Sequence, residues 1–355
     1  MDPNPNYSGN PGFETDFLRL INDIDFKPSQ HAKIPANPPF PFKLWQELAE
    51  RNLLRRFIPA LGEPSDQAAP MPWQDIACAG YLMTRRHQSL GLTMTWVGQL
   101  LKSQFLRSLN SYHAAYIDRI LSGQSLCALA ISEPNVGAHP KYLRCSATQC
   151  SQGYTLNGEK AFVSHGPYAD RFIVLAITEQ TQSRKYFSAF LVTAKTSGLQ
   201  RMPAQPTKGL QPSSHCNIVF KDCQIPSSSL IGTVGHAFEE ISLPMRTLED
   251  SLMLGPIAGA MQAQLDYLAR TSLACNKPLE RHKMGELLSL TESAKELGII
   301  TASKLDQHDN TPDLTPLING FRSLVDQAQA SLLEWHDPYP GLRELASDIQ
   351  ILSNI

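Results

Sequence analysis

Histidines, cysteines and clustered acids are the side chains that most often do chemistry, and here none falls at a spacing that names a reaction. The ten histidines do not pair at metal-ligand spacing, so each reads as a surface or core residue. Seven cysteines, an odd number without C-x-x-C spacing, indicate neither a disulfide framework nor a structural zinc site. A reducing, cytoplasmic compartment is the simplest expectation. The chain contains no Walker loop, no G-x-S-x-G elbow, no H-E-x-x-H helix and no G-x-G-x-x-G turn. One segment stands out. The apolar run Cys127-Ala128-Leu129-Ala130-Ile131-Ser132 stops at Glu133-Pro134-Asn135-Val136-Gly137, which is a short strand delivering a polar loop.

The elements that must position this loop follow from composition and periodicity. At roughly 150 residues per domain, 355 residues suggest two or three units or one composite fold. A 42% hydrophobic content provides a substantial core, and 18% charged residues is below the usual roughly 25%, which fits a chain that buries surface against a partner subunit. The 31 basic and 33 acidic residues leave a net charge of −2, which argues against nucleic-acid binding and against a polybasic membrane anchor. Residues 1–10 are polar and proline-containing, without the apolar stretch of a secretory signal. The uncharged, largely apolar runs 88–101 and 251–265 fall short of the roughly 18 residues a membrane span requires, so a soluble protein is expected.

Phe13, Phe17, Leu20, Ile21 and Ile24 form one helical stripe, followed by a proline-rich connector over 28–41. Helical patterning resumes over 44–57 and again over 73–121. From Leu126 the pattern becomes β-rich, with strands expected at 127–132, 171–178, 186–194 and 216–220. The segment 154–163 alternates about Asn157-Gly158, a pair that favours a tight turn. Helices return over 238–270, interrupted in propensity at Gly255-Pro256, then over 279–306, 317–335 and 341–353. The expected organisation is an N-terminal helical domain at 1–125, a middle β domain at 126–233 and a C-terminal helical domain at 234–355.

With these elements placed, Ala130-Ile131-Ser132-Glu133-Pro134-Asn135-Val136-Gly137 resembles the T-E-P-x-x-G-S-D segment of the acyl-CoA dehydrogenase family. The match continues through His113–Gly123 (HAAYIDRILSG), Gly153–Ser164 (GYTLNGEKAFVS), Ala169–Phe172, Ser188–Val192, Asn217–Pro226 (NIVFKDCQIP) and Leu230-Ile231-Gly232. The resemblance implies an α+β fold with a β-barrel-like middle domain, FAD as cofactor and an acyl-CoA or acyl-carrier thioester as substrate. It also implies fatty acid metabolism, an electron-transferring flavoprotein as electron acceptor, and a homodimer or a heteromer with a homologue. Leu129, Ile131, Ser132, Gly137, Phe162, Val163 and Ser164 then fall at flavin positions. Phe162 replaces a tryptophan as the flat face, and Ser164 replaces a threonine near flavin N5. In the isovaleryl and long-chain branches the base lies on the first long helix after the β domain, which puts Glu249 at that position. Burial against acyl chain and flavin would raise its pKa toward the working pH. Glu334 and Glu344, in helix-like contexts, take no role.

Departures from the family pattern carry a second reading. Ala138-His139 replaces Ser-Asp, Thr247 stands where many members have a CoA-contacting Asp, and Asp250 stands where they have Arg. An R-x-x-F-G segment should follow Arg270, but the chain runs Ser272-Leu273-Ala274-Cys275-Asn276-Lys277-Pro278, and no Q-x-x-G-G turn occurs over 314–355 in this shortened C-terminal domain. Each lost hydrogen bond to the FAD diphosphate is worth roughly 1.5–3 kcal/mol. The alternatives are an FAD-dependent dehydrogenase with Glu249 as base, a silent homologue that binds a partner and has lost FAD, and a monooxygenase or oxidase on the same fold.

Overall fold

The computed structural model of the chain describes residues 12–24, 40–58, 71–109, 113–205, 209–274, 280–307, 313–333 and 342–353. Most of the proline-rich connector, residue Glu334 and the side chain of Glu344 lie outside the described residues. In chain order the first helices are α1 (Phe13–Asn22), α2 (Phe42–Glu50), α3 (Trp73–His87), α4 (Leu90–Leu109) and α5 (Ala114–Leu121). The strands follow as β1 (Cys127–Ala130), β2 (Ser146–Cys150), β3 (Gly153–Ser164), β4 (Arg171–Gln180), β5 (Lys185–Thr193), β6 (Leu199–Arg201), β7 (His215–Pro226) and β8 (Leu230–Ile231). The last helices are α6 (Leu243–Leu252), α7 (Leu254–Ala274), α8 (Arg281–Asp306), α9 (Thr315–Leu332) and α10 (Leu342–Ser353).

These elements gather into two compact units. One holds the described residues of 12–24, 71–97 and 249–353, and so joins helices from both ends of the sequence. Within it α3 and α7 pack at backbone contact, because small residues line the seam. A Cβ added at Gly255 would lie 2.3 Å from the Ala77 carbonyl oxygen, and one at Gly259 would lie 2.3 Å from that of Tyr81. The sequence places the helix break at Gly255-Pro256, but the structure puts it at Met253. Pro256 is then the third residue of α7, in the first turn, where a missing N–H costs no intrahelical bond. No described helix is long and apolar enough to cross a membrane.

The second unit holds the described residues of 40–58 and 98–248 and is built on one eight-stranded sheet. The strand order is β6-β7-β3-β2-β4-β5-β8, and β1 pairs in parallel with the first half of β4. Phe172, Val174, Ala176, Phe190 and Val192 of β4 and β5 form the core with Leu156, Val163, Ile218 and Phe220 of β3 and β7. The outer edge of β1 is closed by the Gln99 side chain of α4. Its Nε2 donates to the Cys127 carbonyl and its Oε1 accepts the Cys127 N–H, both at 2.9 Å, as a neighbouring strand would.

One sequence expectation is overturned here. Asn157-Gly158 is not a tight turn but lies inside the continuous strand β3, at a bulge opposite β7. Gly158 has φ +140°, and a Cβ there would lie 2.7 Å from the Cys145 Cα, so glycine permits a close strand crossing. The Asn157 side chain is tied to β7, its Nδ2 donating to Asp222 Oδ1 and its Oδ1 accepting the Asp222 N–H. The β2–β3 hairpin instead turns at residues 151–152.

Candidate functional site

The loop after β1 is held from beneath by a buried ion pair. Glu133 is 6% exposed and Lys160 0%, and Lys160 Nζ lies 3.0 Å from Glu133 Oε1. Two desolvated ions persist only when their remaining hydrogen-bonding capacity is also used. Glu133 Oε2 accepts the Arg144 N–H at 2.7 Å and Oε1 accepts that of Cys145 at 2.9 Å. Lys160 Nζ also donates to the Ile131 carbonyl at 2.9 Å, and the Ala161 N–H donates to the Ser132 carbonyl at 2.8 Å. The loop closes on itself through the Glu133–Gly137 bridge, with Asn135 at φ +63° and Gly137 at φ +60°. Residues 131–137 are thereby fixed to the middle of β3.

One residue beyond this anchor, β3 bulges. Pairing with β7 shifts between Lys160 and Val163, and within the shift Phe162 takes φ +53° with 66% of its surface exposed. A left-handed conformation costs a non-glycine residue roughly 1–2 kcal/mol, and burial of the ring does not offset it here. An aromatic plane held out of the sheet under strain is the strongest geometric mark of a binding face in this unit. Asn217 of β7 sits opposite. Its Oδ1 accepts the Phe162 N–H at 3.4 Å and Gln205 Nε2 at 2.9 Å, and its Nδ2 donates to Glu159 Oε1 at 2.9 Å.

Below the bulge lies a buried polar cluster. His165, at φ +63°, faces Ser213 Oγ across 3.4 Å from its Nε2, and its N–H donates to the Ser214 carbonyl at 2.7 Å. Burial, reinforced by the positive charge of Lys102 and by His215, holds the His165 pKa well below the usual histidine value. Burial lowers that of His215 as well. Both imidazoles are therefore kept neutral, which suits a rigid support more than a proton donor.

The residues expected at a flavin divide by position. Ile131, Ser132 and Phe162 are drawn together through residues 160–161, with Ile131 and Ser132 half-buried. Leu129 is half-buried on β1, and Ser164 is half-buried opposite His215 on β7. Val163 is buried in the sheet's core, so only its main chain is available to a ligand. Gly137 and Ala138 are exposed in the loop. Of the α6 residues, Thr247 and Asp250 are half-buried and Glu249 is exposed in the helix's last turn, its carbonyl accepting the Met253 N–H at 3.0 Å. Glu249 and Asp250 belong to the unit of helices, whereas Thr247 and the loop belong to the sheet unit. The sequence reading missed Glu133, Lys160 and Asn217. A glutamate and a lysine 27 residues apart carry no local pairing signal, although both lie inside the quoted motifs.

Residues 128–223 match the family model described as acyl-CoA dehydrogenase, middle domain. The mitochondrial isovaleryl-CoA dehydrogenase of Solanum tuberosum is 30% identical over 187 residues, which span 52% of this chain and 45% of that protein. The matched stretch thus covers less than half of that relative. Among solved structures, an FAD complex of PigA has a TM-score of 0.78 at 21% identity, covering 98% of this chain and 94% of that one. The prolyl acyl carrier protein oxidase AnaB has a TM-score of 0.79 at 16% identity, covering 96% of this chain and 92% of that one. At such identities the structural likeness is one of fold.

Proposed function

We propose that the chain is an FAD-dependent oxidoreductase of the acyl-CoA dehydrogenase family, acting on an acyl thioester. The observation that carries the reading is Phe162, an exposed aromatic at φ +53° at the position where the family has a tryptophan face. The donor chemistry around it suits a flavin ring: an aromatic plane, the Ser132 and Ser164 hydroxyls, and the main chain of Leu129, Ile131, Gly137 and Val163. FAD, when bound, supplies the acceptor for a hydride from the β-carbon.

The chain's own residues hold and deprotonate the substrate. The residues assigned to substrate binding are Ala138, Thr247 and Asp250, and the Glu249 carboxylate is assigned as the base that takes the proton from the α-carbon. Glu249 is exposed in the structure, so the proposal requires the acyl chain to dehydrate it on binding. The electrons pass on to an electron-transferring flavoprotein, and the site is completed across a homodimer or a heteromer with a homologue.

A second reading, a silent homologue serving as a binding or heteromer subunit that has lost FAD, draws on the sequence after Arg270, which lacks the family's R-x-x-F-G segment. One experiment separates the readings. FAD is added to purified protein, excess is removed, and the visible spectrum is recorded before and after anaerobic addition of an acyl-CoA. The proposal expects a retained flavin band that the thioester bleaches, and a Glu249→Gln variant that keeps the band but bleaches at least 100-fold more slowly. A protein that retains no flavin turns the assignment to the silent subunit. Bleaching of the variant at the wild-type rate removes Glu249 as the base.

A further inference from the structure

We infer that Asn217 is the positioning residue of the candidate site, acting on a bound ring only through Phe162. This rests on the reading that a flavin lies against Phe162, and it assigns a role to a residue of the opposite strand. At the β3 bulge the pairing with β7 jumps from Lys160–Ile218 to Val163–Cys216, which leaves the Phe162 amide outside the regular ladder. Outside the ladder, and on the exposed face, this N–H takes Asn217 Oδ1 as its acceptor at 3.4 Å. That bond is long, so its strength lies in how firmly the acceptor is held.

Asn217 is fixed from two further directions. Gln205 Nε2 donates to the same Oδ1 at 2.9 Å, and Asn217 Nδ2 donates to Glu159 Oε1 at 2.9 Å. Glu159 lies three residues before Phe162 on β3, so one amide side chain clamps both arms of the bulge. If the bulge served only to bend the strand, glycine at 162 would adopt φ +53° without strain and no clamp would be needed. The clamp therefore serves the ring. It stops the left-handed residue from relaxing and laying its plane back on the sheet.

The network also suggests a rescue. In an Asn217→Asp variant the carboxylate still accepts from Phe162 and Gln205 but faces the Glu159 carboxylate. Adding Glu159→Gln reverses that one bond, so the new amide donates to the new carboxylate and the clamp is restored with its charge relocated. An Asn217→Ala variant removes the clamp outright.

Two measurements test the proposal on full-length protein, with folding checked by circular dichroism. The first is the FAD dissociation constant from quenching of flavin fluorescence. Asn217→Ala is expected to weaken binding about tenfold or more, Asn217→Asp to do the same, and the Glu159→Gln/Asn217→Asp pair to return within about threefold of the wild type. On a Phe162→Gly background, Asn217→Ala should add no further loss. The second is hydrogen exchange over residues 159–164, which needs no ligand: at least tenfold faster in Asn217→Ala and near the wild-type rate in the rescued pair. Unchanged exchange and affinity in Asn217→Ala overturn the inference, and so does a full additional loss on the Phe162→Gly background. If the wild type binds no FAD, the proposed function fails, and the exchange rates alone decide whether Asn217 holds Phe162 in place.

Discussion

Replacing Lys160 by methionine removes a 0%-exposed ammonium of similar length and leaves Glu133, 6% exposed, as an ion without its countercharge. Breaking one side of a buried pair costs about 3–5 kcal/mol, because the orphaned charge stays desolvated. The structure places this case toward the lower end, about 3 kcal/mol. Glu133 keeps the main-chain N–H groups of Arg144 and Cys145, at 2.7 and 2.9 Å, and a hydrogen bond to a charged group contributes roughly 1.5–3 kcal/mol. The reverse change, Glu133→Gln, costs more, about 4–5 kcal/mol. It leaves the ammonium without its countercharge, and it turns an amide NH2 either toward the Arg144 N–H or toward the Cys145 N–H and the ammonium together. The double variant should be destabilised by about 2–3 kcal/mol less than the sum of the two, since neither charge remains to be orphaned. Urea unfolding at pH 7, followed by circular dichroism and compared by midpoint and slope, measures all four proteins. Hydrogen exchange over 131–137 should rise in Lys160→Met, because the Ile131 carbonyl loses its donor. A cost below about 1 kcal/mol for Lys160→Met, or additivity within about 0.5 kcal/mol, would refute the claim that this pair holds the loop.

Two further outcomes follow from burial and packing. His165 is held neutral in the native state but has an ordinary pKa of about 6.5 when unfolded, so only the unfolded chain gains its proton as pH falls below that value. Its contribution is fully present above pH 6.5 and is lost on acidification at up to about 1.4 kcal/mol per pH unit. His165→Asn, which tolerates the left-handed backbone, should lose about 1 kcal/mol less stability than the wild type between pH 6.5 and 5.5, by urea midpoint. An unchanged pH slope would show that His165 titrates alike in both states. Gly259→Ala and Gly285→Ala should have opposite signs in thermal melts. The first drives a Cβ to 2.3 Å from the Tyr81 carbonyl oxygen and costs about 1–3 kcal/mol. The second meets nothing within 4 Å on α8 and gains about 0.5–1 kcal/mol of helix propensity.

Much of the architecture was legible because it is written locally. The stripe Phe13, Phe17, Ile21 became the buried face of α1, and the apolar runs at 171–178 and 186–194 became β4 and β5. What escaped was set by partners distant in sequence. Asn157-Gly158 has the composition of a turn, yet the side-chain ties to Asp222 and the close approach of Cys145 hold it in a strand. Strand β2 (SATQC) is too polar to announce itself, and it exists because β3 pairs with it over five residues. At the site, the type of Phe162 could be read from its motif position, but its backbone strain could not. The strain depends on a register shift against β7 and on an asparagine 55 residues away.

The costly features of the candidate site fall together on one face of the sheet unit. Where a ring would lie, the substitutions keep the kind of interaction: Phe162 is still a plane, Ser164 still a hydroxyl, and the Glu133–Lys160 pair beneath them has every bond a buried ion pair requires. Such a pair offers little net stability over apolar side chains of the same size. Its retention beneath a strained, exposed aromatic is therefore better explained by the position it enforces than by folding alone.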